Sequence, residues 1–94
     1  GIENLMKLVA NVTKYPEDAW KQKAEGRVIL QFVVDEEGKM TYPKILQSVR
    51  YDIDKEAIRA FEAIADVYRW SPGYQDGEAK RVKFTMPLYF RIPK

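Results

Sequence analysis

Residues 80–92 read KRVKFTMPLYFRI, and they show the clearest periodicity in the chain. From Val82 to Ile92, apolar side chains occupy the even positions and mostly polar side chains the odd ones, which is the period-two pattern of a half-buried strand. Because proline cannot donate a backbone hydrogen bond, the strand that contains Pro87 is predicted to lie at the edge of its sheet, with residue 87 turned to the unpaired side. The odd-numbered residues then present their backbone groups at an open edge, which is a template for another chain.

A second strand is predicted at residues 27–35, because apolar residues again alternate along it. Its other face is more apolar than a fully hydrated surface requires, so we predict that this strand is central. The residues that face the core are Val28, Leu30, Phe32 and Val34.

The central strand is followed by a turn that contains Gly38, so a hairpin is predicted to return the chain along residues 39–49. Met40 and Ile45 cannot share one face of a regular strand, and a proline lies between them. We therefore predict a bulge at residues 41–43 on an outer strand.

The main helix is predicted at residues 55–68. Asp54 suits the N-cap position, and Ile53 with Ile58 matches a hydrophobic staple across it. The charged residues fall on the opposite side of this helix, which indicates a hydrated face. The buried stripe is predicted to consist of Ala57, Ile58, Phe61, Ile64, Ala65 and Tyr68.

Two shorter segments with helical features lie before the central strand. Residues 1–14 are interpreted either as an amphipathic helix or as a partly ordered lead-in. Pro16 and the acidic residues after it begin a short helix that reaches about residue 23, in which Ala19 and Trp20 are predicted to be buried. The apolar residues at helical spacing in the first segment are Ile2, Leu5, Met6 and Val9.

Between the main helix and the last strand, the sequence contains several residues that end helices or form turns. The stretch at 71–73 is predicted to stop the helix, and Trp70 to fold back as an anchor. Asp76 and Gly77 are predicted to make a turn into the last strand.

These elements predict an α+β fold with a three-stranded antiparallel or mixed sheet, whose strands lie in the order second, first, third. The last strand can lie beside the central strand only by running antiparallel to it. A right-handed crossover then places the main helix on one face of the sheet, together with the short N-terminal helix. Even-numbered side chains of the first and third strands are expected to meet the main helix.

The composition of these 94 residues argues against several functions. The length fits one domain, and 16 basic against 14 acidic residues leave a net charge of +2, which is too small to favour a nucleic-acid partner. Because the chain has no cysteine and no histidine, we expect no enzyme, no cofactor and no metal site. The acidic run at 35–37 is interpreted as a hydrated hairpin tip. No apolar run approaches the about 20 residues of a membrane span, so an anchored parent would make this chain an excised piece.

One set of residues has a distinctive order and spacing along the chain: Tyr15, Pro16, Ala19, Glu25, Gly26, Val28, Leu30, Phe32, Val34, Gly38, Ile45, Asp54, Ala57, Trp70, Pro72, Gly77, Val82, Phe84, Pro87 and Phe90. Together they resemble the C-terminal domain of TonB, the energy-transducing protein of Gram-negative envelopes. The resemblance implies a three-stranded sheet with helices on one face, which is the architecture that the patterns predict. It divides the chain into a lead-in at 1–14 and a TonB C-terminal-like domain at 15–94.

For function, the resemblance implies a periplasmic protein-binding module on a long linker from an inner-membrane anchor, where the anchor couples to a proton-driven motor. Such a module captures the TonB box, a short extended segment of a TonB-dependent outer-membrane transporter, by strand addition to its last strand. Energy then passes as force, without chemistry in this domain. The partner-binding residues so implied are Tyr15, Val82, Lys83, Phe84, Thr85, Met86, Pro87, Leu88, Tyr89 and Phe90.

The chain departs from the family pattern just before Tyr15. The best-known members have a Gln-Pro-x segment there that touches the receptor, whereas this chain has Val12, Thr13 and Lys14. The identity of the receptor is therefore left open.

An alternative function follows from relatives in which this domain is fused to membrane-embedded sensor metallopeptidases. The domain is then an extracytoplasmic sensory or peptidoglycan-binding part of a membrane-anchored signalling protein. A homodimer, formed through the open edge or the uncovered sheet face, is a further expectation. The residues expected to contact glycan are Arg27, Lys83, Tyr89 and Arg91.

Overall fold

The computed structural model of the chain describes residues 1–71 and 73–93, and residues 73–75 by their backbone alone. In this part of the chain, the helices and strands are α1 (Ile2–Val12), α2 (Glu17–Lys21), β1 (Gly26–Val34), β2 (Met40–Gln47), α3 (Tyr51–Ala65), β3 (Gly73–Gln75), β4 (Glu78–Lys80) and β5 (Val82–Phe90).

The three long strands form one sheet in the order β2-β1-β5, and β1 runs antiparallel to both neighbours. The predicted α+β fold, its strand order and the edge position of the last strand are confirmed. Strands β1 and β5 pair without a register shift from Gly26 opposite Phe90 to Val34 opposite Val82. The sheet is therefore most regular where it meets the edge strand.

The core lies between the sheet and the helices. Even-numbered side chains of β1 and β5 point into it, while α3 packs on β1 and β2, and α1 packs on α3 and β5. Helix α1 confirms the helical interpretation of the first residues, whereas the division of the chain at residue 15 stays a prediction. The buried core residues are Leu5, Val9, Ala19, Val28, Leu30, Phe32, Val34, Met40, Ile53, Ala57, Ala60, Phe61, Ile64, Met86, Leu88 and Phe90.

The turn between β1 and β2 is held by the carboxylate of Asp35. Its Oδ1 accepts the backbone N–H groups of Glu37 and Lys39, each at 2.9 Å. Gly38 has φ of 84°, the left-handed conformation that glycine adopts without a steric penalty. The predicted hairpin and the role of its glycine are thereby confirmed.

The predicted bulge on β2 is also confirmed. The register moves from Gln31 opposite Lys44 to Val33 opposite Thr41, so β2 carries an extra residue there, and Tyr42 has φ of 53°. Because of this bulge, Met40 and Ile45 both pack against the core despite their opposite parity. A second shift near Leu46 was not expected from the sequence.

Helix α3 begins at Tyr51, four residues before the predicted start, and its N-cap is Arg50. The prediction that Asp54 is the N-cap was wrong, because its carboxylate reaches back from inside the first turn. Its Oδ1 accepts the backbone N–H of Val49 at 2.9 Å, and its other oxygen accepts the hydroxyl of Ser48.

The predicted hydrophobic staple of α3 was wrong for the same reason. Ile53 lies inside the helix and is fully buried, and it extends the buried stripe by a turn. Ala57, Phe61 and Ile64 are buried as predicted, and the helix ends at Ala65. The other three predicted stripe residues, Ile58, Ala65 and Tyr68, are half-buried against the core.

Helix α2 is shorter than predicted, with Pro16 at its N-cap. Ala19 is fully buried, but Trp20 is 48% exposed, so the prediction that it is buried was wrong. In so short a helix only one face reaches the core, and Ala19 occupies it. The ring of Trp20 instead lies edge-on to the ring of Tyr15, with 5.3 Å between the centroids.

Trp70 folds back on the sheet, as predicted. Its ring stacks on Phe84 with 4.8 Å between centroids and lies 6.4 Å from that of Phe32. Asp76 and Gly77 form a turn, but it joins β3 to β4 in a small hairpin and does not lead directly into β5. Pro72, part of the predicted helix stop, lies outside the described residues.

The described helices are too short, or too polar, for any of them to span a membrane.

Candidate functional site

The outer side of β5 is the open edge of the sheet, since β1 occupies its other side and no strand of the described residues pairs there. Pro87 lies opposite Ile29, and the register continues through this pair without a shift. Because Pro87 has no N–H, an unbroken ladder requires it to occupy a non-hydrogen-bonded pair. By alternation, Lys83, Thr85 and Tyr89 also turn their backbone groups away from β1 and toward the open side.

The opposite edge, on β2, is much less regular. Its pairing with β1 is interrupted by two register shifts, and Pro43 lies within the bulge opposite Gln31–Val33. Bulges and prolines twist an edge and remove donors, which blocks the addition of a further strand. The edge of β5 is therefore the candidate site.

The ten predicted partner-binding residues fall into distinct groups. Lys83, Thr85 and Tyr89 are exposed, and Pro87 is half-buried. Val82 and Phe84 are half-buried on the helix side, where Phe84 packs against the core. Only the odd-numbered residues of β5 are therefore placed to meet a partner. The fully buried members of the set are Met86, Leu88 and Phe90.

Tyr15, the tenth predicted residue, lies at the end of β5 on the helix side. Its ring is edge-on to Phe90 at 5.6 Å, and its hydroxyl donates to the carbonyl oxygen of Ala24. Burial raises the pKa of Tyr15, and the negative charge of Glu25 raises it further. At neutral pH Tyr15 is thus a neutral donor that fixes the chain before β1.

The C-terminal end of α1 borders the same end of the edge. A shallow groove there is lined by Ala10 and Thr13 of this segment and by Tyr89 and Arg91 of the strand end. The edge of β5 is therefore bordered by the end of α1 beside Tyr89, whereas no strand of the described residues pairs beside Lys83 and Thr85. The amphipathic spacing of residues 1–14 predicts a helix, but it contains no information about which end of β5 the helix approaches.

Two charged residues of α3 clasp the segment that follows α1. Arg59 donates to the carbonyl oxygen of Val12 at 2.7 Å and to both carboxylate oxygens of Glu56, while Glu56 accepts the backbone N–H of Lys14 at 2.6 Å. Partial burial by itself raises the pKa of Glu56, but the bonds from Arg59 and Lys14 outweigh it and hold this pKa below its ordinary value. The spacing of charged residues predicts a hydrated face for both Glu56 and Arg59, because a contact between distant segments leaves no local pattern in the sequence.

Basic side chains dominate the surroundings of the edge. Lys83 and Arg91 form no ion pair with the described residues, and Arg91 lies over the ring of Tyr89 at 4.9 Å. Arg81, just before β5, is paired with Glu36 at 3.0 Å. An incoming segment with acidic side chains is therefore favoured electrostatically over a basic one.

Three of the four residues predicted to contact glycan come together. Arg27, Tyr89 and Arg91 line a shallow groove with Glu25. Lys83 lies away from it, opposite Val33 at the other end of the strand. The groove combines one aromatic ring with two guanidinium groups.

The acidic run at the first hairpin has a structural role. Backbone N–H groups of Lys39 and Glu37 lower the pKa of Asp35, and Arg81 helps to lower that of Glu36. Within residues 1–71 and 73–93, no cluster of acidic side chains has the arrangement of a metal site.

The chain is similar to a family of known proteins. The family model described as Gram-negative bacterial TonB protein C-terminal matches residues 11–92. This match confirms the resemblance predicted from the sequence. No curated protein sequence is significantly similar to the chain.

Solved structures agree with the family match. The solution structure of the Helicobacter pylori TonB C-terminal domain, residues 179–285, has a TM-score of 0.80 at 16% identity and covers 98% of this chain and 80% of that one. The Pseudomonas aeruginosa TonB C-terminal domain has a TM-score of 0.64 at 26% identity, over 87% of this chain and 80% of that one. The chain therefore shares its fold with these two domains although their sequence identity to it is low.

Proposed function

Since the chain belongs to the family of Gram-negative bacterial TonB C-terminal domains, we propose that it is the periplasmic protein-binding module of a TonB-like energy transducer. Its partner is an extended segment of a TonB-dependent outer-membrane transporter. The segment adds as a strand to the open edge of β5.

The observation that carries this proposal is the arrangement of β5. Its nine residues are held to β1 in one register without a shift, so the edge is regular along its whole length. Its odd-numbered residues offer outward backbone groups at Lys83, Thr85 and Tyr89, and such groups bind an extended peptide without regard to most of its side chains. Each added hydrogen bond contributes about 0.5–1.5 kcal/mol net, so the interaction is of modest strength and main-chain pairing dominates it.

Transduction by such a module requires no chemistry in this domain. The rest of the parent protein supplies an inner-membrane anchor and the contact with motor proteins, and force reaches the transporter through the added strand. The side chains of Phe84, Met86, Leu88 and Phe90 pack in or against the core and tie β5 to the helices, so tension on the strand is passed to the core.

The test is a titration of isotope-labelled domain with the amino-terminal segment of a TonB-dependent transporter. Two further versions of the peptide are N-methylated at alternate amides, one on the side that faces β5 and one on the side that faces away. Methylation toward β5 is expected to remove most of the binding, whereas the other version binds like the parent peptide. The largest amide shifts are expected within Val82–Phe90.

The proposal fails if both methylated peptides bind like the parent. It also fails if the shifts cluster on residues 56–65 of α3 and leave the edge unchanged.

A second candidate function is favoured by the groove that contains Arg27, Tyr89 and Arg91. An exposed aromatic ring beside guanidinium groups suits a glycan, so this groove supports the alternative of a peptidoglycan-binding sensory domain. Titration with soluble peptidoglycan fragments distinguishes the two functions. Glycan binding shifts the signals of Arg27 and Arg91, while strand addition shifts those of Lys83 and Thr85.

A further inference from the structure

Strand β4 leads into β5 with only Arg81 between them. The turn before β4 has positive φ at Asp76 and Gly77, 53° and 79°, which is the type I′ geometry of a two-residue hairpin. In such a turn the N–H of Glu78 donates back to the strand before it. By alternation, Lys80 also faces β3, and the N–H of Ala79 points to the opposite side.

The same parity continues into β5. Even-numbered residues of β4 face β3, and even-numbered residues of β5 face β1. Arg81 belongs to neither strand, and a single extended residue at this junction preserves the alternation, which puts β3 and β1 on the same side of the chain. The backbone N–H of Trp70 donates to the carbonyl of Gly38 at 2.9 Å, which starts the segment leading to β3 at the turn that ends β1. Arg81, at the junction, is paired with Glu36 of the same turn at 3.0 Å.

It follows that the open edges of β4 and β5 form one composite edge, from Ala79 to Tyr89. At about 3.3 Å per residue it is roughly 33 Å long. The extent of the molecule, 51 Å along its longest axis and 21 Å along the next, fits a hairpin that prolongs the sheet.

Because Pro87 has no backbone N–H, it limits the number of outward donors that β5 alone can offer to a partner. It interrupts the outward donors of β5, so the uninterrupted run within β5 consists of Lys83 and Thr85 alone, with Tyr89 isolated beside the end of α1. Adding Ala79 and Arg81 doubles that run from two donors to four. A longer partner segment therefore forms the most additional backbone hydrogen bonds if it extends toward the β3–β4 hairpin.

The charges of the composite edge argue against a second copy of this chain as its occupant. Its exposed odd-numbered side chains include Arg81 and Lys83 and no acidic residue. The charge of Arg81 is already balanced by Glu36, but self-pairing places Lys83 near the cations of the other copy, whereas a segment with an acidic side chain at this position pairs favourably with Lys83.

We propose that the β3–β4 hairpin is a specific part of the binding edge, and that the partner is an extended segment of about ten residues that pairs across the junction with Ala79, Arg81, Lys83 and Thr85. This inference rests on the proposed function. It extends that function by assigning a length and a position to the partner segment.

The test compares three transporter-derived peptides: a core of six residues, and the same core lengthened by six residues at its amino or its carboxyl end. One of the two longer peptides is expected to bind at least about fivefold more tightly than the core. The same peptide should slow amide exchange at Ala79 and Arg81, whereas the core slows it only within β5.

Variants at residue 79 isolate the hairpin's contribution. Ala79→Pro removes an outward donor and leaves the β3–β4 hydrogen bonds intact, so it should reduce the gain of the longer peptide and not change the affinity of the core. Ala79→Val, which keeps the donor, is the matched control. If the proline variant misfolds, amide exchange at Ala79 and Arg81 of the unaltered domain, compared between the longer peptide and the core, still tests the inference.

Three outcomes contradict the inference in distinguishable ways. If the core binds but neither extension adds affinity or protection, the hairpin has no part in binding and the proposed function stands. If no peptide binds β5, the proposed function fails and this inference fails with it. Concentration-dependent protection of Ala79 and Arg81 without peptide identifies a second copy as the occupant.

Discussion

The backbone of Trp70 packs directly on Gly38. The N–H of Trp70 donates to the carbonyl oxygen of Gly38 at 2.9 Å, and a Cβ atom placed on residue 38 lies 2.0 Å from the carbonyl oxygen of Trp70. Glycine is thus required at this turn both for its φ of 84° and for the close approach of a second segment. The contact joins the first hairpin to the segment that leads into β3.

Gly38→Ala should therefore destabilise the domain by at least about 2–3 kcal/mol, since the left-handed conformation and the clash both contribute. The matched control is Gly77→Ala. Gly77 has φ of 79° but no atom within 4 Å of an added Cβ, so only about 1–2 kcal/mol is expected there. Urea denaturation of both variants measures the difference, and equal losses would rule out the contribution of Trp70.

Phe90→Ala should cost about 3–5 kcal/mol, because Phe90 is 2% exposed and packs in the core. Phe84→Ala is expected at the lower end of that range, since Phe84 is half-buried between Trp70 and Phe32. Thr85→Lys, on the exposed face of the same strand, should change the free energy of unfolding by less than about 0.5 kcal/mol. If denaturation gave all three variants the same stability, the assignment of the two faces would be wrong.

Glu56→Gln should release the segment after α1 at neutral pH. The pKa of Glu56 is lowered in the folded protein, so its contribution to stability is fully present above the unfolded value near 4.5 and is lost as the pH falls through the lower folded pKa. Amide exchange at Lys14, whose N–H donates to Glu56, should become faster in this variant at pH 7. Below the folded pKa the variant and the unaltered protein should behave alike.

Glu62→Gln is the control for this clasp. Glu62 lies exposed on the same helix, without an ion pair to the described residues. Its substitution should leave the amide exchange rate of Lys14 unchanged, both at pH 7 and below the folded pKa of Glu56. A variant of Glu56 in which Lys14 exchanges at the normal rate at pH 7 would show that the bond from Lys14 to Glu56 does not hold this segment.

The isolated domain should self-associate weakly through its uncovered sheet face, where Ile29, Val33 and Tyr89 lie. Arg27 and Lys83 flank this strip, so association should strengthen as added salt screens them. Val33→Lys places another cation in the strip and should abolish association. Sedimentation equilibrium at low and high salt checks this, and a monomeric profile at every salt concentration contradicts it.

The sequence by itself determines the two long strands, their buried faces and the edge position of β5. Alternation in Val28–Val34 and in Val82–Phe90 is strong enough to assign both faces, and Pro87 excludes a central strand. The candidate edge could therefore be predicted without coordinates. Gly38 and the broken parity of β2 likewise predicted their turn and bulge, because these features are set by neighbours along the chain.

Only the tertiary structure decides the remaining features, because they depend on contacts between distant segments. Asp54 suits an N-cap by type, but the burial of Ile53 and the bond to Val49 place it inside α3. Trp20 is apolar enough for the core, yet the core position on α2 belongs to Ala19. Strands β3 and β4 are three residues each, too short to show a period, so the hairpin on which the proposed extension of the edge rests is recognised only from their pairing.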